Sequence, residues 1–234
     1  MSFWQITLRR SVRLSRTYVV LGAGMSVYGS IMSNILSLIP ADSASPSSAA
    51  IDFVNNFPVL SVAILSLSAM LSSLPVVMLF VYDKNNGVLE YLLSTGLDQL
   101  DIFKGYVKAS LSLAACLLVF SNIFNLAVGL YFGTSLGLLA IIAVLTSAIG
   151  LSEVFLVSIS MMAFSSLQKT PMGANQPLGV IIGIVPMFPA LILPLMFPSY
   201  ALVIDISIAV VTLLVSLTLL LSVSRLILRE RLLP

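Results

Sequence analysis

Runs of roughly 20 apolar residues, each long enough to cross a hydrocarbon layer as a helix, recur along almost the whole chain. A single long polar stretch, Tyr82–Lys108, interrupts them. Apolar residues at this density leave too little charge to cover a water-soluble surface. Of the 234 residues, 59% are hydrophobic and 9% charged, and the mean hydropathy is +1.12. The runs are unbroken, where a transmembrane barrel would alternate. The expectation is one all-α membrane domain over residues 1–234.

Six spans are expected, at 17–39, 58–81, 105–132, 135–164, 177–195 and 201–224. Residues 1–16 precede them as an amphipathic interfacial helix. Phe3, Trp4, Leu8, Val12 and Leu14 share one side of it and Arg9, Arg13 and Arg16 the other, with Arg10 at the border. Such a helix lies at headgroup depth with its arginines toward anionic lipid. No cleavable signal peptide is expected there. In the first span Gly22, Ser26 and Ser30 form a small-residue stripe that admits a close neighbour. Pro75 is expected to kink the second span, with Ser72 and Ser73 able to satisfy freed backbone groups. Asn122 and Asn125 sit in the outer half of the third span, and Asn125, Gly129 and Gly133 make a second stripe. Gly179 and Gly183 form a GxxxG pair in the fifth. Pro186, Pro189, Pro194 and Pro198 crowd its far end, so a regular helix is not expected to persist there.

The basic residues set the orientation. Six spans place on one side the four arginines of the N-terminal helix, Lys84, Lys104 and Lys108, Lys169, and Arg225, Arg229 and Arg231. Together these are all 11 basic residues. The positive-inside rule then puts that side, with both termini, in the cytoplasm. Residues 82–104 fall there too.

That segment reads as two short helices with a hinge. Asn85 and Asn86 are good N-cap types, and Glu90 falls in the first turn, where the helix dipole favours a carboxylate. Val88, Leu89, Leu92 and Leu93 give one apolar face. Ser94, Thr95 and Gly96 end the helix, Gly96 suiting a left-handed cap. Asp98 with Asp101 approximates a capping box for the next helix. Two readings fit: an amphipathic helix resting on lipid, or a docking helix for a soluble partner.

The run Gly87-Val88-Leu89-Glu90-Tyr91-Leu92-Leu93-Ser94-Thr95, followed by Gly96-Leu97 and by Phe103-Lys104-Gly105, resembles the hallmark of ATP-binding-cassette permeases of the ABC type-2 class. In that family the run is a coupling helix seated in a groove of an ATP-hydrolysing subunit. The resemblance implies a permease subunit of an ABC exporter, paired with a second copy or a paralogue. ATP and Mg would be bound by the partner ATPase and no cofactor by this chain. The sequence departs at Gly96, where the family usually has proline, and in the order Lys104-Gly105.

The chain has no G-x-x-x-x-G-K-[ST] phosphate loop, no histidine and one cysteine, Cys116. Accordingly no catalytic residue, metal site or nucleic-acid partner is expected, and ATP hydrolysis is assigned elsewhere. Glu153 is the single acidic residue well inside an apolar run. One reading makes it a proton or cation site, or a contact to a polar substrate group, as in an ion-coupled secondary transporter or channel. The other makes it a carboxyl bonded to serines or asparagines of neighbouring spans, or one near the inner interface.

Overall fold

The structure, a computed structural model, describes residues 2–36, 57–163 and 187–226. Those residues form helices and turns and no strands. In chain order they are α1 (Phe3–Leu14), α2 (Arg16–Leu36), a 3-10 turn (Phe57–Leu60), α3 (Ser61–Asn85), α4 (Val88–Ser94), α5 (Gln99–Tyr131), α6 (Leu136–Ala163), α7 (Met187–Met196), a second 3-10 turn (Pro198–Tyr200) and α8 (Ala201–Leu226).

Four helical stretches are long and apolar enough to cross a membrane: Pro58–Asn85, Gln99–Tyr131, Leu136–Ser160 and Ala201–Ser222. This is the build of a membrane protein. α2, expected as the first span, is a 21-residue helix but not one of these four. Its inward face carries Ser26, Ser30, Ser33 and Asn34, all buried. The fifth expected range lies mostly outside the described residues, as do Lys169, Gly179, Gly183, Arg229 and Arg231.

α3 is the central helix. It packs against α1, α2, α5 and α6, and 72% of its apolar window is buried, against 22% for α8 at the periphery. The small-residue stripe works within the chain as expected. A Cβ on Gly22 would lie 2.8 Å from the Ser68 carbonyl oxygen. One turn on, Ser26 Oγ lies 2.7 Å from Ser68 Oγ and 2.6 Å from Ser121 Oγ, so hydroxyls join α2, α3 and α5 at one level. Toward the other end Asn34 Nδ2 donates to Asn125 Oδ1 (3.3 Å) and Thr134 Oγ1 donates to Asn34 Oδ1 (3.1 Å). Gly129 sits under Leu139. Gly133, expected in the same packing stripe, instead takes φ +81° in the turn between α5 and α6, with open space around it.

Two expectations about proline need correction. Ser72 and Ser73 hydroxyls donate to the carbonyls of Ala69 and Met70. The carbonyl deprived of its donor by Pro75 is that of Leu71, four residues back, so neither serine repairs it. At the other end of the chain α7 is helical over ten residues despite containing two prolines. Pro189 is its third residue, where no intrahelical N–H bond is required, and only Pro194 lies in the interior.

Candidate functional site

The polar segment folds more tightly than its composition suggests. α3 continues through Asn85, and α5 starts at Gln99, leaving α4 and two turns between them. Neither asparagine caps α4. Asn85 ends α3, and Asn86 turns its side chain back, Nδ2 donating to the Tyr82 carbonyl (2.8 Å). Gly87 stands at the N-cap instead, with φ +70°, which only glycine adopts without strain. At the far end Gly96 takes φ +87°. Its N–H reaches the Leu93 carbonyl (3.1 Å) and that of Leu97 the Leu92 carbonyl (3.4 Å), the paired closure of a Schellman cap. The proline usual in the resembled family is locked near φ −65° and could not occupy this hinge as it stands. Asp98 is the N-cap of α5 by backbone geometry, but no side-chain capping bond forms there.

α4 turns its apolar side inward as its spacing predicts. Leu89 is buried, and Leu92 and Leu93 pack against a cluster built from α3, α5 and α6: Val76, Leu79, Phe80, Ile102, Phe103, Tyr106 and Ile159 among others. Val88 is half-buried. Glu90, Tyr91, Ser94 and Thr95 remain exposed, Tyr91 at 67%. Ser94 and Thr95 hydroxyls donate back to the carbonyls of Tyr91 and Leu92 (both 2.7 Å), closing the last turn locally. α4 is therefore a small ridge on an apolar platform, presenting one carboxylate and one aromatic ring outward.

Beneath it lies a polar junction that local sequence pattern did not reveal. Asp83 is fully buried. Arg10 of α1 grips it with both terminal nitrogens, Nη2 to Oδ1 at 2.7 Å and Nη1 to Oδ2 at 3.0 Å, and Tyr106 Oη donates to Oδ2. Three helices, α1, α3 and α5, thus meet on one carboxylate. Buried ionised groups persist only when paired and hydrogen-bonded in this way. The separation of 73 residues between Arg10 and Asp83 hides the pair from any periodicity argument. The lone signal is an aspartate directly at the end of a long apolar run.

The same junction changes the reading of α1. Its most buried residues are the polar Thr7 and Ser11, whose hydroxyls donate to their own helix at Phe3 and Leu8. Phe3 and Leu8 pack on the platform, while Ile6 and Leu14 are exposed. α1 thus lies against the protein by the Phe3–Thr7–Arg10–Ser11 side. Arg9, Arg13 and Arg16 face outward as expected. Phe3 stands edge-on to Tyr106, with ring centroids 5.7 Å apart, and Tyr106 edge-on to Phe80 at 5.2 Å. Gly105 makes room for Phe3: a Cβ there would fall 2.2 Å from its ring.

The intramembrane polar residues are not brought to one place. Asn122 Nδ2 donates to Ser147 Oγ (3.0 Å) between α5 and α6, and Asn125 belongs to the Asn34–Thr134 group. Glu153 is fully buried on α6, and neither oxygen has a hydrogen-bond partner among the described residues. The bonded-carboxyl reading is therefore not met there. Asp205, in the first turns of α8, is in the same condition.

The chain matches no family model, no curated protein and no solved structure.

Proposed function

We propose that the chain is the transmembrane permease subunit of an ATP-driven ABC transporter, an exporter that forms the substrate path and couples to a separate ATPase subunit. In this reading it is a multi-pass cell-membrane protein of six spans with both termini cytoplasmic. It pairs with a second copy or a paralogue, and the partner ATPase binds ATP and Mg. The observation that carries the proposal is α4. A seven-residue helix between two spanning helices is pinned by left-handed glycines at both ends and seated by Leu89, Leu92 and Leu93. It offers Glu90 and Tyr91 to whatever lies beyond the membrane surface. A helix resting on lipid would turn its leucines to the bilayer; this one turns them to the protein.

The test is a mild-detergent pull-down of the tagged chain, with the eluate assayed for ATP hydrolysis. A stoichiometric soluble ATPase should co-purify, and Glu90→Lys with Tyr91→Ala should release it while leaving the permease folded. These two side chains are better probes than Leu92 or Leu93, whose removal loosens α4 itself. A chain that purifies without any ATPase, in native membranes that express it, overturns the proposal.

One observation favours the alternative, an ion-coupled transporter or channel. Glu153 is a buried carboxyl with no hydrogen-bond partner among the described residues, and such groups inside membranes commonly serve ions or protons. Flux through proteoliposomes of the chain alone, abolished by Glu153→Gln, would select it.

A further inference from the structure

A cleft of about 420 Å³ opens between the α1–α2 elbow and the last three turns of α3. One wall is Leu14 and Ser15; the other runs along α3 from Pro75 to Asn86. Polarity along that wall is ordered. Pro75, Met78, Leu79 and Val81 come first, deeper in the spanning helix, and Tyr82, Asn85 and Asn86 follow at its end. The eleven-residue rise from Pro75 to Asn86 covers about 16 Å. Across the cleft, Arg13 and Arg16 flank Leu14 and Ser15 in sequence. Both are exposed, and neither makes an ion pair among the described residues. Arg10, at the border of this face, is already held by Asp83, and Arg9, one turn before Arg13, is likewise exposed but lies further from Leu14 and Ser15. Glu90, near Gly87, is the exposed acid closest in sequence to the rim and is outnumbered there.

From this arrangement we propose that the cleft is a binding site for an anionic phospholipid of the surrounding bilayer. An acyl chain lies along Met78 and the exposed flank of Leu14, and the phosphate is held by Arg13 and Arg16 with Asn85 as a hydrogen-bond donor. A free phosphate would have no use for the apolar floor. A neutral lipid would have none for the two uncommitted arginines. The match is to a molecule whose polarity changes along its length in the same order as the wall. Leu14 and Tyr82, apolar bodies 55% and 47% exposed at the rim, gain cover from such an occupant. Because Asn86 leads directly into Gly87, a bound headgroup also braces the turn that sets α4. This site does not depend on the transporter reading.

The full chain can test it in nanodiscs. Tyr82→Trp in a Trp4→Phe background places the one tryptophan at the rim, where bromine-labelled acyl chains quench it on contact. Brominated phosphatidylglycerol should quench more strongly than brominated phosphatidylcholine at equal mole fraction, the preference amounting to about fivefold per arginine at low salt. Arg13→Gln with Arg16→Gln should erase the preference. Arg13→Lys should keep it, and Arg9→Gln, one turn further from the lining residues Leu14 and Ser15, should reduce it less than either Arg13→Gln or Arg16→Gln alone. Native mass spectrometry of the unaltered chain should likewise retain phosphatidylglycerol over phosphatidylcholine, and the double glutamine variant should not. Equal quenching by both lipids, a preference that survives the double glutamine variant, or one lost equally in Arg9→Gln overturns the site.

Discussion

Gly105→Ala should change the sign of its effect on stability according to what stands at residue 3. In a helix interior, alanine is favoured over glycine by about 0.8–1.0 kcal/mol. Here the new methyl would sit 2.2 and 2.6 Å from two ring carbons of Phe3. Such an overlap cannot persist, so the ring must swing off the platform. Phe3 is half-buried, and uncovering it costs about 1 kcal/mol, a fraction of the 1.5–3 kcal/mol for a fully buried side chain. Its edge-on contact with Tyr106 is lost as well, at about 0.5–1.5 kcal/mol. Set against the propensity gain, Gly105→Ala destabilises the docking of α1 by about 1 kcal/mol. With Phe3→Ala already present the overlap vanishes and only the propensity remains, so the same substitution stabilises by about 1 kcal/mol. The coupling between the two positions is therefore about 2 kcal/mol. A double-mutant cycle read by reversible unfolding in mixed micelles would measure it. Hydrogen exchange over residues 3–14 reports whether α1 has come loose. Equal effects of Gly105→Ala in both backgrounds, with unchanged protection of α1, would refute the packing argument.

Three other outcomes follow from the same geometry. Arg10→Met strands the Asp83 carboxylate with Tyr106 alone and should cost about 1–3 kcal/mol, less than a fully buried pair because the arginine side chain is 41% exposed; Asp83→Asn, which keeps one acceptor oxygen but sets an NH2 donor against an arginine N–H, should also destabilise in the same unfolding assay. Gly96→Pro forbids φ +87° and deletes the N–H that closes α4 on Leu93, so exchange over residues 88–95 should quicken by tenfold or more, whereas Gly96→Ala, with open space around it, should carry only a left-handed strain of about 1–2 kcal/mol. Glu153→Met removes a buried carboxyl that has no partner among the described residues and should raise stability by roughly 1–3 kcal/mol; a loss of stability in thermal unfolding would show that the carboxyl is satisfied.

The sequence was most informative where structure is local. The i, i+1, i+4, i+5 spacing of Val88, Leu89, Leu92 and Leu93 fixed both the existence of α4 and the side it buries, and Gly96 marked its end. The Gly22–Ser26–Ser30 stripe announced a close helix contact because a missing side chain has the same consequence wherever the neighbour comes from. What stayed hidden is set by partners distant in sequence. Asp83, in a stretch read as facing water, is buried because Arg10 and Tyr106 converge on it. Thr7 and Ser11 look like the polar side of a surface helix, yet they are the side that packs, since each hydroxyl satisfies itself on its own backbone. The asparagines before Gly87 look like N-caps, but α3 runs through Asn85, four residues past the expected end of its span at 81, and uses them to finish itself.

The unequal make-up of the two long helices that share the Asp83 junction has a mechanical consequence. α5 runs 33 residues without a proline, about 50 Å of continuous hydrogen-bonded backbone, which exceeds the thickness of a hydrocarbon core by some 20 Å. α3 leaves the same junction but is notched at Pro75, where one rung of its ladder is missing and no serine replaces it. A displacement applied at the α4 platform would travel along α5, as through a strut, to the Asn125–Thr134 end. Along α3 it would meet a compliant point within three turns. The seryl contacts at Ser26, Ser68 and Ser121 lie beyond that notch, tying the stiff member back to the flexible one. The bundle therefore has a built-in difference in stiffness, and the half of α3 before Pro75 follows α5 more closely than it follows the half after it.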